Sequence, residues 1–186
     1  MLKTHKLFIT VIFFSNFFAA NLGADQMLID DFTSEENSRW SYISDQVMGG
    51  VSEGSMVFSR DKTDSFARLT GKVSTQNNGG FIQFRTSISS IDNKNIEGIY
   101  LKVRGNNQSY FVHLRTSSTI MPWQYYQAEF AASNTWHTFE IPLENFSASS
   151  GWLFKKVTVA SIKSLGIVAF GRDHTADIQV AEVGFY

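Results

Sequence analysis

Apolar and polar residues alternate with a period of two along most of the chain from Met27 onward. Gly, Asn, Asp or Ser interrupts this alternation every ~8–12 residues, and no apolar stripe persists at helical spacing. Two sheets made of such strands bury their apolar faces against each other, so the pattern predicts an all-β, antiparallel two-sheet sandwich. The predicted strands cover residues 27–32, 54–60, 66–75, 80–89, 97–104, 109–117, 123–131, 136–141, 165–170 and 177–185.

One internal segment and the N-terminus depart from this pattern. Residues 144–164 lose the alternation and are predicted to form a long surface loop with at most one helical turn. Residues 7–18 are almost wholly apolar, follow two Lys residues and precede small residues up to Ala24. We predict a signal peptide over residues 1–24, an exported (periplasmic or secreted) protein and one domain over residues 25–186. An uncleaved membrane anchor is the alternative.

Charge and composition exclude several classes of protein. The chain has 16 Lys and Arg, 17 Asp and Glu, and no Cys. Without residues 1–24, which hold two Lys and no acidic residue, the net charge is −3. Disulfides and thiolate metal sites are excluded by composition, and a mildly acidic domain is not expected to bind nucleic acid.

The segment Gly50-Val51-Ser52-Glu53-Gly54 fits the G-x-S-x-G pattern of a serine nucleophile. That motif requires a helix after the serine, whereas residues 55–60 continue as a strand, so we predict a glycine-rich turn and no catalytic role for Ser52. His113, His137 and His174 are too far apart in sequence for a typical chelating motif. The chain is therefore predicted not to be an enzyme.

Asp30 and Asp31 are adjacent on a predicted strand, so their side chains point to opposite faces. The alternation places Glu182 on the inward face of the last strand. Asp31 and Glu182 therefore form a candidate metal site if the first and last strands pair. Calcium is the ion that such carboxylates suit. A salt bridge with Arg or Lys at the sheet end is the favoured alternative, and no other cofactor is predicted.

The aromatic residues supply the remaining candidate chemistry. Tyr125 and Tyr126 are neighbours on a strand, so one of them is expected on the outer face near Trp123. Exposed rings beside Arg115 and Gln124 would stack on a sugar or anchor a protein partner. The alternative is that these rings fill the core, which we favour for Trp40 and Trp136.

Several blocks of the sequence resemble one known family. Residues 40–52 read WSYISDQVMGGVS, similar to its hallmark run of a Trp followed by Asp-x-Val-Met-Gly-Gly-x-Ser. Residues 79–81, 115–130 and 136–146 resemble its later blocks in the same order. The family is that of the NADH:ubiquinone oxidoreductase (complex I) intermediate-associated protein 30, and the resemblance spans residues 27–186.

This resemblance implies a galactose-binding-like β jelly roll without catalytic activity. Mitochondrial members of the family act as assembly factors or chaperones for respiratory complex I. The apolar leader differs from an Arg- and Ser-rich transit peptide, so the chain looks like an exported bacterial member. We therefore expect an interaction domain that binds a protein partner, such as a membrane complex under assembly. A carbohydrate-binding module is the alternative.

The predicted binding site combines two segments. A tight turn at residues 48–50, with at least one glycine at positive φ, is expected to present Asp45 and Ser52 at one rim of the sandwich. The orientation of the rings near Trp123 should separate a sugar groove from a protein-binding patch. The proposed site residues are Asp45, Met48, Gly49, Gly50, Ser52, Arg115, Trp123, Gln124 and Tyr126.

Overall fold

The computed structural model describes residues 26–34, 39–92 and 95–186, so the predicted leader lies outside the described residues. None of the helical turns among these residues has the length and apolar character that a membrane-spanning segment needs. The strands are β1 (Met27–Asp30), β2 (Trp40–Ser44), β3 (Glu53–Arg60), β4 (Ser65–Val73), β5 (Phe81–Ser87), β6 (Gly98–Gly105), β7 (Gln108–Thr116), β8 (Tyr126–Ala132), β9 (His137–Pro142), β10 (Ser147–Ala148), β11 (Ile162–Phe170) and β12 (His174–Phe185).

The strands form two antiparallel sheets, which confirms the predicted all-β sandwich. The first sheet has the order β3-β4-β12-β6-β9, and β1 pairs with the second half of β12. The second sheet has the order β10-β8-β7-β11-β5-β2. Because β11 lies between β5 and β7, three segments far apart in sequence form the middle of one face.

The core lies between the inner faces of the two sheets. Leu69 and Val180 come from the first sheet, and Phe84, Leu114 and Ile167 come from the second; all five are fully buried. Burial of each such side chain contributes about 1.5–3 kcal/mol, so the alternating inward positions provide most of the driving force for this fold.

The last strand corrects one prediction from the alternation. A bulge between Val180 and Glu182 shifts the pairing of β12 with β6 by one residue. Beyond the bulge, Val183 and Phe185 are fully buried, while Glu182 is half-buried on the outer face. The inward position predicted for Glu182 is therefore wrong, because a bulge exchanges the faces of all residues that follow it.

Strand β2 and the segment 144–164 also differ from the prediction. β2 was not among the predicted strands, and its Trp40 lies in the core and donates a hydrogen bond from Nε1 to Asp30 Oδ2 at 2.8 Å. The segment 144–164 is a surface loop as predicted, but it also contains the short strand β10 and a 3-10 turn at Val159–Ser161.

Candidate functional site

The glycine-rich turn after β2 has the backbone geometry that the sequence predicts. Asp45–Met48 form one 3-10 turn, and Gly49 ends it in the left-handed region with φ of 89°. Glycine reaches this region without the steric cost that a side chain imposes. The predicted positive φ in this turn is confirmed.

The turn is built around the buried carboxylate of Asp45, which is 0% exposed. Asp45 Oδ1 accepts a hydrogen bond from Ser52 N at 2.9 Å, and Oδ2 accepts one from Ser52 Oγ at 2.5 Å. Oδ2 also accepts hydrogen bonds from Gly80 N at 2.5 Å and Phe81 N at 3.2 Å. Asp45 therefore ties its own turn to the start of β5, 35 residues away.

Two effects on the pKa of Asp45 oppose each other. Burial raises the pKa, but the hydrogen bonds from Gly80, Ser52 and Phe81 outweigh burial and hold the pKa below its usual value. A Cβ atom at Gly50 or Gly79 would collide with the Asp45 side chain. The glycines of this motif thus make room for a carboxylate that holds the fold together.

The structure corrects the expectation that Asp45 and Ser52 are presented at a rim. Both side chains are completely buried, and Ser52 Oγ accepts a hydrogen bond from Ser74 N at 3.0 Å while donating to Asp45. A buried and bonded hydroxyl has no access to a substrate. Met48 and Gly49 are exposed and Gly50 is half-buried, so only this part of the motif reaches the surface.

Arg115 and Gln124 shape the loop that follows β7. Arg115 Nη2 donates hydrogen bonds to the carbonyls of Thr119 at 3.0 Å and Met121 at 3.1 Å. Gln124 Oε1 accepts hydrogen bonds from Ile120 N at 2.9 Å and Met121 N at 3.0 Å. The structure thus places Arg115, near the end of β7, beside the loop that carries Trp123 and Gln124. The sequence analysis grouped these three residues but placed Trp123 and Gln124 on a strand, whereas β8 begins at Tyr126.

A second loop adjoins this one through Ser149. Ser149 Oγ accepts a hydrogen bond from Tyr125 N at 3.0 Å and donates one to Trp123 O at 3.2 Å. Trp123 is 61% exposed, and Trp152, three residues beyond Ser149, is 94% exposed. We call the exposed apolar side chains of these two loops the tip surface; its members are Ile120, Met121, Trp123, Trp152 and Phe154.

The sequence analysis chose only Trp123 from the tip surface. Trp152 and Phe154 were visible as bulky residues in a segment without strand character, and that combination was the available signal for exposure. Tyr126, which it did choose, is wrong as a binding residue because it is 1% exposed and packs in the core.

Tyr125 occupies the outer face instead of Tyr126. Its ring stacks on His113, with centroids 4.1 Å apart and planes 9° from parallel. Burial lowers the pKa of His113 to about 4, against the smaller opposite effect of Gln127 on the neighbouring strand. His113 is therefore neutral at pH 7, and Tyr125 covers an uncharged ring.

The carboxylates near β1 have partners within the chain. Asp30 is buried and lies 3.8 Å from Arg39 Nε, which matches the predicted alternative of a salt bridge at the sheet end. Asp31 Oδ1 accepts hydrogen bonds from Thr33 N at 3.0 Å and Thr33 Oγ1 at 2.6 Å. Glu182 Oε1 lies 3.6 Å from Lys102 Nζ.

Among the described residues, no group of three or more His, Cys, Asp and Glu side chains is arranged to hold a metal ion. Calcium takes 6–8 oxygen ligands, so Asp31 and Glu182 would have to be supplemented by backbone oxygens or water. A calcium site at this pair stays a prediction.

The geometry described so far defines a β-sandwich similar to solved carbohydrate-binding modules. The family 11 module from Clostridium thermocellum, in complex with a β-1,3-1,4-mixed-linked tetrasaccharide, has a TM-score of 0.69 at 14% identity and covers 86% of this chain and 94% of its own. The family 11 module of the cellulosomal cellulase Lic26A-Cel5E of the same organism has a TM-score of 0.70 at 14% identity, covering 86% and 93%.

An exo-β-agarase has a TM-score of 0.58 at 7% identity, covering 86% of this chain but 24% of its own. Identities this low show a shared fold and no more. No curated relative shows significant sequence similarity to the chain.

The sequence itself identifies the family. Residues 30–180 match the complex I intermediate-associated protein 30 family, and the chain belongs to it. The match contains the turn built around Asp45 and the loop that carries Trp123, so the resemblance noted from separate blocks holds across nearly the whole described domain.

Proposed function

We propose that this protein is a non-enzymatic interaction domain that binds a partly assembled membrane or envelope protein through its tip surface. The observation that carries the proposal is the exposure of five large apolar side chains on two adjoining loops. Family membership supports it, because the family is named for its association with intermediates of complex I. The burial of Ser52 removes the one serine whose sequence context suggested a nucleophile.

Exposure of a Trp ring to water is unfavourable, and Trp is enriched among the residues that anchor protein interfaces. The loops are held in place by Arg115, Gln124 and Ser149, so the rings of Trp123 and Trp152 are presented on an ordered backbone. Binding then requires less ordering of the loops, and more of the contact energy remains as affinity.

The test is recovery of a cross-linked partner from envelope extract, followed by affinity measurement with the purified partner. We expect Trp123→Ala and Trp152→Ala each to weaken binding by about 1–3 kcal/mol without loss of folding. Val57→Ala removes an exposed apolar side chain on edge strand β3 and is the matched control. Equal affinity for the wild type and both Trp variants would contradict the proposal.

A second candidate function is carbohydrate binding, and the flat ring of Tyr125 on the outer face of the second sheet favours it. Tyr125 lies on a face that also carries Gln83 and Arg85, whose side chains suit sugar hydroxyls. The similar family 11 module was solved with a tetrasaccharide. Retention on polysaccharide gels that is lost with Tyr125→Ala and competed by free sugar would support this candidate, and absence of retention would contradict it.

A further inference from the structure

A groove crosses the outer face of the second sheet over β7, β11, β5 and β2. Arg85 on β5 lies opposite Gly166 of β11 on one side and Ser41 of β2 on the other. Arg115 on β7 lies opposite Ser164 of β11. Both Arg side chains point outward, because their strand neighbours point into the core. Two guanidinium groups therefore flank the middle strand.

Gly166 of β11 lies beside this groove, opposite Arg85, and lines the adjoining recess. A Cβ atom at Gly166 would lie 2.9 Å from Gln83 Oε1 and 3.4 Å from Arg85 Cβ, so any side chain there would displace the neighbours. Glycine in a central strand weakens the strand, and at this position it leaves room for the side chains of Gln83 and Arg85.

The lining of the groove is entirely cationic or hydroxylic. Of its ten lining residues, four are Arg39, Arg85, Arg115 and Lys163, and the other six are Ser or Thr, of which three threonines are buried. The groove volume is ≈ 500 Å³, and no acidic or apolar side chain lines it within the described part of the chain. We call this feature the basic groove.

The cations of the basic groove are mostly without anionic partners. Across residues 26–34, 39–92 and 95–186, neither Arg85, Arg115 nor Lys163 forms an ion pair, and only Arg39 lies near a carboxylate, 3.8 Å from Asp30. Burial lowers the pKa of Arg115, and the charge of Arg85 lowers it further, which shows that the two cations repel each other. A cleft lined by charges of one sign attracts ligands of the opposite sign.

The basic groove continues into a narrower recess beneath the loop that carries Gln124. The recess shares Arg85, Arg115 and Ser164 with the groove and adds Tyr125, Gln124 and Gln83. A ligand lying across the strands would thus meet cations and hydroxyls first, and amides and an aromatic ring at the far end.

We propose that the basic groove binds an acidic polysaccharide, a sugar chain that bears carboxylate groups. This inference rests on the carbohydrate-binding candidate and deepens it. Arg binds carboxylates through two parallel hydrogen bonds, and the hydroxyl and amide groups of the groove match the hydroxyls of a sugar. An acidic peptide fits less well, because protein interfaces have an apolar centre and this groove has none.

The test is titration of the full chain with polygalacturonate oligomers at low and high salt. We expect binding that weakens with salt, a roughly tenfold or greater loss with Arg85→Gln, and a roughly twofold to fivefold loss with Lys163→Gln. Arg60→Gln and Lys62→Gln remove the same charges from the exposed β3–β4 hairpin of the first sheet and are the matched controls. Both controls should bind like the wild type.

The other outcomes each overturn the proposal and are distinguishable. Equal binding of the fully methyl-esterified polymer would show that the chain binds carbohydrate without selecting carboxylates. Equal binding of polyglutamate would show selection of carboxylates without selection of sugar. Equal losses in the control variants would show non-specific attraction. Absence of binding to polygalacturonate would overturn this inference alone, because retention on polysaccharide gels tests the carbohydrate-binding candidate separately.

Discussion

The outer faces of the two sheets use charged side chains in opposite ways. On the first sheet three cations have a carboxylate partner at short distance: Arg68 with Asp177 at 2.7 Å, Lys102 with Asp64 at 2.6 Å and Arg104 with Asp61 at 2.9 Å. On the second sheet Arg85 and Lys163 form no ion pair with any described residue. The first face thus pairs its central cations with carboxylates of the same chain, and the second leaves cations available to a ligand.

This difference separates stability from binding. Side chains whose partners belong to the same chain contribute to the free energy of unfolding, because unfolding separates them. Cations without partners contribute nothing to that free energy or reduce it slightly by mutual repulsion. Substitutions on the two faces should therefore be distinguishable by stability measurements alone.

The largest effect is expected at Asp45, where internal pairing of a charge is most complete. Asp45→Ala leaves the buried N–H groups of Ser52, Gly80 and Phe81 without an acceptor, so we expect a loss of about 3 kcal/mol or more in the free energy of unfolding. Urea unfolding followed by tryptophan fluorescence measures it. Asp92→Ala, at an exposed carboxylate, is the control and should change stability by less than ~0.5 kcal/mol.

Acidification is the next test, because it removes the anionic partners on the first face. Backbone hydrogen bonds from Asp64 and Thr63, with the charge of Arg104, lower the pKa of Asp61 to about 2. The pKa values of Asp64 and Asp45 are also lowered. A carboxylate with a depressed folded-state pKa stabilises the fold above its unfolded pKa near 4, and this stabilisation is lost as pH falls toward the folded value.

Two groups of residues set the pH dependence of the urea midpoint. Below about pH 6.5 the unfolded chain protonates His113 while the folded chain, with a pKa of about 4 at this residue, does not, so the midpoint should begin to fall there. The carboxylates should add a further fall between about pH 4 and pH 2. Asp61→Asn should make the fall shallower at its acidic end. A midpoint that does not change between about pH 4 and pH 2 would mean that the folded chain does not stabilise the charged form of these carboxylates.

The fold was predictable because alternation is a local property of the sequence. The position of Glu182 was not, because Ala181 and Val183 are apolar as well, and either face of that strand reads as buried until the bulge is known. Tyr125 and Tyr126 present the same ambiguity, since both are aromatic and the choice depends on where β8 begins.

The candidate site was predictable only where its residues are close in sequence. Arg115 near the end of β7 and the loop residues Trp123 and Gln124 lie within ten residues of one another and were found together. Arg85 and Lys163 join Arg115 only through the order of β5, β11 and β7, which a single sequence does not reveal. The N–H group of Gly80, which donates to Asp45, is also far from Asp45 in sequence. The sequence analysis therefore predicted an exposed site where the structure has a buried structural motif.

A smaller effect is expected from a surface pair on the first face. Arg68 donates from Nε and Nη2 to the two carboxylate oxygens of Asp177, at 2.8 Å and 2.7 Å. Both side chains are partly exposed, so Arg68→Gln should cost about 0.5–1 kcal/mol, and a double-mutant cycle with Asp177→Asn should show a coupling of similar size. A coupling near zero would show that this face gains no stability from its pairing.

The smallest effect is expected from Arg85→Gln, and its sign is the informative quantity. Arg85 has no carboxylate partner among the residues that the structure describes, and its charge lowers the pKa of the neighbouring Arg115 guanidinium. Its removal therefore relieves repulsion without breaking an ion pair of the described chain. We expect the free energy of unfolding to stay the same or rise by up to ~0.5 kcal/mol, and the rise to shrink in high salt, which screens the repulsion. Unfolding of Arg85→Gln and Arg68→Gln, measured side by side at low and high salt, gives the sign of the change in the free energy of unfolding for each variant. A loss of stability in Arg85→Gln as large as that in Arg68→Gln would mean that Arg85 makes a stabilising contact within the chain. The contrast between the two faces would then be wrong.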